Sequence, residues 1–295
     1  MKFDTTTVRL VLAIAEEGSI SRAADSMGLA VAAASRRVSD LEAQLGVPLF
    51  TRQSHGMKAT QAGAALLAHL RQIDNLTHRL ERDALAARQG REGRVMIGAP
   101  KSALIPHLAR SIASVQRKYP AIAVQIVEEN SGIVQQLRQD RVIDIGIFEK
   151  TSGYSDLPRH AYHDDHLELI YSQRHFSFSE AALKIEQLIE LPLVTLGRGS
   201  AILARLQREH QSRGRVFREN VIVNGFDTML ALVREGVGVG LMPPAIFQSF
   251  HPESALAAAT LEGQWHHRSY VLSFVEGHAQ AHTLRNVVAE LLPAP

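Results

Sequence analysis

Three glycines, at positions 18, 28 and 46, cut the first fifty residues into helical segments too short to be stable alone. The first segment runs from about Thr5 to Glu17, with Asp4 as N-cap and Val8, Val11, Leu12 and Ala15 on one face. The second spans about two turns, from Ser19 or Ser21 to Met27. The third begins near Ala30, carries Val38, Leu41 and Leu45, and stops at Gly46. A tight glycine turn between a short helix and a longer one is a helix-turn-helix arrangement. In "VPLFTRQSHGMKATQAG", Pro48 and Gly56 then break any helix, leaving two extended pieces, 49–52 and 57–60, around a polar tip. That pattern predicts a β-hairpin wing, with Thr60 capping a long helix over about 61–89.

The long helix places Leu66, Leu70, Ile73, Leu76 and Leu80 at near-heptad spacing. Pairing with a second copy and packing within its own chain both satisfy such a stripe. "RQGREGR" (88–94) reads as a linker. Beyond it strands and helices alternate: "RVMIGA", "AVQIVEE", "DIGIF", "LELIYS", "LPLVTL", "RENVIVN", "VGVGLMP" and "SYVLSFV" are the strands, with amphipathic helices between. This alternation predicts parallel sheets covered by helices, in two α/β lobes.

Composition narrows the chemistry. The chain has 295 residues, enough for two or more domains, with 45% hydrophobic and 21% charged residues. It lacks cysteine, which excludes disulfides, thiolate metal sites and cysteine nucleophiles. No run reaches the ~18 apolar residues of a membrane span. The start does not read as a signal peptide, because Arg9, Glu16 and Glu17 interrupt it. These features fit a cytoplasmic protein without membrane association. Residues 1–60 hold seven Lys/Arg against six Asp/Glu, so charge alone does not suggest nucleic acid.

In a helix-turn-helix the second helix of the motif lies in the major groove with its N-terminal residues toward base edges. Here that end offers Val31 and Ala32, then Ser35, Arg36 and Arg37 for phosphates or guanine edges. Arg52 and Lys58 on the wing would reach flanking phosphate. A plain three-helix bundle with solvated arginines is the alternative at this level.

The stretch "GSISRAADSMGLAVAAASRRVSDLEAQLGVPLFTRQSHGMKATQAG" resembles the N-terminal domain of LysR-type transcriptional regulators. The resemblance rests on "GS" followed by "RAA", on "SRRVSDLE" and "LGVPLFTR", and on a Thr then Ala-Gly ending the wing. It implies a winged helix-turn-helix (1–60), a linker and dimerisation helix with hinge (61–92) and a two-lobed effector domain like periplasmic binding proteins (93–295). Lobe I would take about 93–160 and 268–295, and lobe II about 161–267. The family commonly has Ser-Gln where this chain has Ala30 and Val31. Ala30 offers no cap oxygen, and Val31 cannot make a bidentate adenine contact. Readout at position 31 is then apolar contact with a thymine methyl or absent, with specificity leaning on Ser35, Arg36 and DNA shape.

The resemblance also implies a double-stranded operator, a homodimer assembling to a homotetramer, contact with RNA polymerase, and no enzymatic activity, cofactor or metal. Two strand-to-helix junctions, "GAPKSALI" and "TLGRGSAIL", suit an anionic effector such as a carboxylate. The match carries Ser102 and Ser200 to the effector cleft, beside Lys101 and Arg198, and adds Phe148, Phe226, Asp227 and Met242. Helix capping and loop packing are the plainer roles for each. A solute-binding or enzymatic α/β protein with a fused helical domain is the rival reading. "GVGVG" (236–240) leads into a strand, not a helix, so it is no dinucleotide loop. "GRGSA" lacks the nucleophile-elbow spacing. "HAYHDDH" (160–166) reads as a solvated crossover, with metal binding or pH sensing as its sharper alternative.

Overall fold

The computed structural model describes residues 4–53, 56–88, 93–151, 157–180, 182–197, 199–217, 220–250, 255–274 and 281–292. They form two compact units: Met1–Gly90 with Asp140–Val142, and Arg91–Gln139 with Ile143–Pro295.

In the first unit, α1 (Thr5–Glu17) starts at Asp4, whose side chain accepts from the Thr7 N–H at 2.7 Å. Helices α2 (Ile20–Ser26) and α3 (Val31–Leu45) follow. Gly18 and Gly46 close α1 and α3 in the left-handed conformation, φ 63° and 73°, which glycine adopts without a Cβ clash. The wing is the antiparallel pair β1 (Phe50–Gln53) and β2 (Gly56–Ala59). Thr60 caps α4 (Gln61–Arg88), its hydroxyl accepting from the Gly63 N–H at 2.7 Å. Leu10, Val11, Ile14, Ala34, Leu41 and Leu49 build the core that sets the pose of α3. The leucine stripe of α4 divides: Leu70 is buried in this core, whereas Ile73, Leu76 and Leu80 are exposed, Leu80 to 69%.

The second unit opens with β3 (Gly93–Ala99), α5 (Lys101–Ala103), a π-helical turn at Leu104–Leu108, and α6 (Ala109–Lys118). Next come β4 (Ile122–Glu128), α7 (Ser131–Gln139), β5 (Ile145–Glu149), β6 (His160–His166) and β7 (Glu168–Ser172). They are followed by β8 (Ala182–Leu183), α8 (Ile185–Ile189), β9 (Leu193–Leu196), α9 (Ala201–Ser212), β10 (Val221–Val223) and α10 (Phe226–Arg234). The last elements are β11 (Val239–Met242), α11 (Pro244–Ser249), β12 (Leu256–Leu261), β13 (His267–Phe274) and α12 (Ala281–Leu291). One sheet has the order β4-β3-β5-β13-β6 and the other β10-β9-β11-β7-β12-β8.

The sheets are mixed, which departs from the parallel expectation. β4, β3 and β5 run parallel and so do β10, β9 and β11, but β13 returns antiparallel between β5 and β6, and β7 antiparallel to β11 and β12. Strands that cross between sheets arrive without a helical crossover and therefore can pair in reverse. "HAYHDDH" is one of these strands, β6, and not a loop, though Ala161, His163 and Asp164 do face solvent. Its Tyr162 is buried, and Asp165 forms a bidentate pair with Arg268, at 2.7 Å from Nε to Oδ1.

Candidate functional site

The N-terminal half of α3 presents a mostly uncharged surface. Ala34, Val38 and Leu41 form its buried stripe. Ala32, Ala33 and Arg36 are exposed, and Val31 is 45% exposed in the first turn. Ala30 occupies the N-cap with no side-chain hydrogen bond, as its missing oxygen dictates. Ser35 is half-buried. The two arginines differ. Arg36 extends into solvent, 3.9 Å from Asp40. Arg37 turns back to Asp4 at 2.8 Å and to the Thr7 hydroxyl at 3.0 Å, binding α3 to the start of α1. That contact holds the Asp4 carboxyl down to about 2, through the Arg37 hydrogen bond first and the Thr7 bonds next. An exposed pair of this kind is worth little in stability, ~0–1 kcal/mol, so its effect is to fix geometry. Arg52 and Lys58 are both exposed on the wing.

The second unit contains a cavity of about 380 Å³ at the ends of β3, β4 and β9, roughly the size of a small metabolite site. Lys101, Ser102, Ser200 and Phe226 line it, as do Glu128, Glu129, Asn130, Ser131, Asn224, Arg268 and Tyr270. Lys101 Nζ lies 3.4 Å from Glu128 Oε1. Ser102 Oγ and Tyr270 Oη share a buried hydrogen bond of 2.7 Å. Burial pushes the Tyr270 phenol up to about 12, so it keeps its proton. The Arg268 guanidinium stands over the Tyr270 ring at 5.2 Å while paired to Asp165. Ser200 loosely caps α9, its hydroxyl accepting from the Leu203 N–H at 3.5 Å.

Three other effector candidates lie away from this lining. Phe148 on β5 is fully buried against Val134, Ile143 and Val271. Met242 on β11 is fully buried in the core of the six-stranded sheet. Asp227 is exposed in the first turn of α10. Arg198 lies outside the described residues. The strand-to-helix rule that singles out two junctions also covers a third, β4 into α7, which supplies Glu128 to Ser131. Arg268 and Tyr270 come from an antiparallel strand far along the chain, and no local pattern marks them.

Among the described residues, no group of three or more His, Asp or Glu is placed to hold a metal ion. The histidines of β6 serve another contact: His163 meets His107 with ring centroids 3.5 Å apart, in a recess shared with Arg110, Tyr162 and Glu290. Glu290 is occupied by Lys118 and Ser114. Burial, then the neighbouring His163 and Arg110, hold the His107 imidazole down to about 4 from 6.5. His266 is lowered too, again chiefly by burial. Above about pH 6.5 both states are neutral at His107. Between 6.5 and 4 the unfolded chain binds a proton that the folded chain refuses, so stability falls as pH falls. The urea midpoint of the second unit's transition is therefore expected to drop between pH 7 and 5, and a His107→Phe variant to drop less. An equal acid response in both would refute this assignment.

A helix-turn-helix with a wing on one unit and a metabolite-sized cavity in the other define a DNA-binding regulator that senses a small molecule. Comparison with known proteins agrees. Residues 5–64 match the model for the bacterial regulatory helix-turn-helix protein, lysR family, and residues 88–294 match the LysR substrate binding domain. The chain belongs to the LysR family of DNA-binding transcriptional regulators. It is 26% identical over 238 residues to the HTH-type transcriptional regulator YofA of Bacillus subtilis, covering 80% of each chain. It is 25% identical over 302 residues to a probable RuBisCO transcriptional regulator of Trichormus variabilis, covering 99% of this chain and 89% of that one. In fold it is similar to full-length CbnR complexed with target DNA, with TM-score 0.66, 19% identity and coverage of 98% and 99%. A single-site variant of full-length OxyR from Pseudomonas aeruginosa gives TM-score 0.61, 17% identity and coverage of 99% and 95%. No helix among the described residues is long and apolar enough to cross a membrane.

Proposed function

We propose that this regulator responds to a small acid that also carries an ammonium or hydroxyl donor, bound in the cavity between the two sheets. The charge balance of the lining carries this reading. Lys101 is already matched by Glu128 and Arg268 by Asp165, with Glu129 as a further carboxylate of the lining, so a ligand with an anionic group alone would meet at least as much repulsion as attraction. A carboxylate taking the place of Glu128 on Lys101 frees Glu128 to accept from a donor on the same ligand. The domain extents follow the sequence: winged helix-turn-helix to about residue 60, linker helix to about 92, effector domain beyond. The exposed Ile73, Leu76 and Leu80 of α4 support pairing of two chains into a homodimer, with further assembly to a tetramer. Such a dimer presents two recognition helices to a pseudo-palindromic operator in the cytoplasm, where RNA polymerase would read the outcome. Ligand binding would shift the population of DNA-bound poses. The relatives are transcriptional regulators, and the chain is read as one with no enzymatic step.

Calorimetry of the full chain with paired panels of amino or hydroxy acids and their amide or ester counterparts tests the ligand class. The acids are expected to bind and their neutral counterparts to bind at least ~10-fold more weakly, with Lys101→Met erasing the difference. Equal binding of both members of a pair, or a Lys101→Met variant that keeps the preference, would overturn the reading.

A further inference from the structure

We propose that the first turn of α3 reads thymine through its methyl group, with Val31 as the reading side chain. This rests on α3 being the helix that enters the major groove. Side chains that read a polar base edge need donors or acceptors, and the first turn has none: Val31, Ala32 and Ala33 are all exposed, and Ala30 before them has no polar side chain. Val31, 45% open to water, is the one exposed large hydrophobic among the described residues of the helix-turn-helix and wing, and it sits at the end of α3 that faces base edges. The only apolar feature on the floor of the major groove is the thymine C5-methyl. The alanines beside Val31 add no bulk, so the backbone can come close enough for van der Waals contact.

The arginines sharpen this assignment. Arg37 is engaged with Asp4 and Thr7, 2.8 and 3.0 Å away, so it is committed to holding α3 in place. Arg36, one turn beyond Val31 and extended into solvent, is left as the cation of this surface for phosphate or guanine. The half-site this surface fits therefore has a thymine opposite residue 31, with discrimination by methyl burial instead of hydrogen bonding.

The experiment uses the full-length chain and a random duplex pool. Sequences enriched by binding are resynthesised with uracil in place of each thymine in turn, which removes only the methyl. At one position per half-site, uracil is expected to weaken binding about three- to tenfold, the scale of one buried methyl. In a Val31→Ser variant that position is expected to bind thymine and uracil alike, while other positions keep their wild-type response. If uracil is tolerated at every enriched thymine, or if Val31→Ser retains the full uracil penalty, methyl reading by Val31 is wrong although α3 still reads DNA. If no sequence is enriched over the starting pool, both the proposal and the groove placement of α3 fall.

Discussion

Replacing Arg205 with Met is expected to destabilise the second unit by about 3–5 kcal/mol, the usual cost of removing one partner of a buried ion pair. Arg205 on α9 pairs with Glu149 at the end of β5 and also donates to the Trp265 carbonyl. Glu149 is fully buried; its backbone N–H donates to Ser131 Oγ, and its carboxylate accepts from Thr151. Without the guanidinium the buried carboxylate loses its charge-assisted hydrogen bond and keeps the Thr151 hydroxyl and the charge of Arg268. For a unit of ~200 residues the loss corresponds to roughly 6–20 °C in Tm. A double variant, Arg205→Met with Glu149→Leu, should recover much of it, because apolar replacement of both partners is often close to neutral. Calorimetric scans of the three proteins provide the check. A single variant losing less than about 1 kcal/mol would show that the pair is open to solvent in solution.

The second large effect is expected at Gly63, in the first turn of α4. A Cβ built there meets the Leu49 carbonyl oxygen at 2.0 Å and its carbonyl carbon at 2.8 Å. Leu49 cannot retreat easily. Its side chain is fully buried, its N–H donates to Glu42 at 2.7 Å, and its carbonyl accepts from Thr60 at 2.9 Å. Alanine would gain ~1 kcal/mol in helix propensity. Overpacking against backbone sits at or above the usual 1–3 kcal/mol, so a net loss of about 2 kcal/mol or more is expected in Gly63→Ala. Thermal melts of the first unit's transition, read by helix circular dichroism, should show a fall of roughly 8–16 °C. An unchanged or raised midpoint would mean that the wing and α4 separate at little cost.

The N-terminal unit is legible because its signals are local. Asp4, Thr60, Gly18 and Gly46 are caps whose chemistry acts within one turn, and each does so in the structure. The second unit is legible only where helices and strands alternate. β12, "LAAATL", has three consecutive alanines and weak β-propensity, and it exists because β7 and β8 flank it. β6 departs from expectation for a related reason: its charged and histidine residues suggest a loop, yet β13 pairs with it along its length and Arg268, a hundred residues on, pairs with Asp165. Of the cavity residues, those at strand-to-helix junctions follow from sequence order. Arg268 and Tyr270 depend on the register of β13 with β6, which no nearby residue reveals.

The division of α3 has a consequence for descent. Residues that hold the helix, Ala34, Val38, Leu41 and Arg37, are tied to α1 and the core. Those at its tip are in water, where substitutions usually change stability by no more than ~0.5 kcal/mol. Under the proposed readout by the tip of α3, a lineage carrying this domain can exchange one genomic address for another through a few codons, with selection on folding nearly blind to the change.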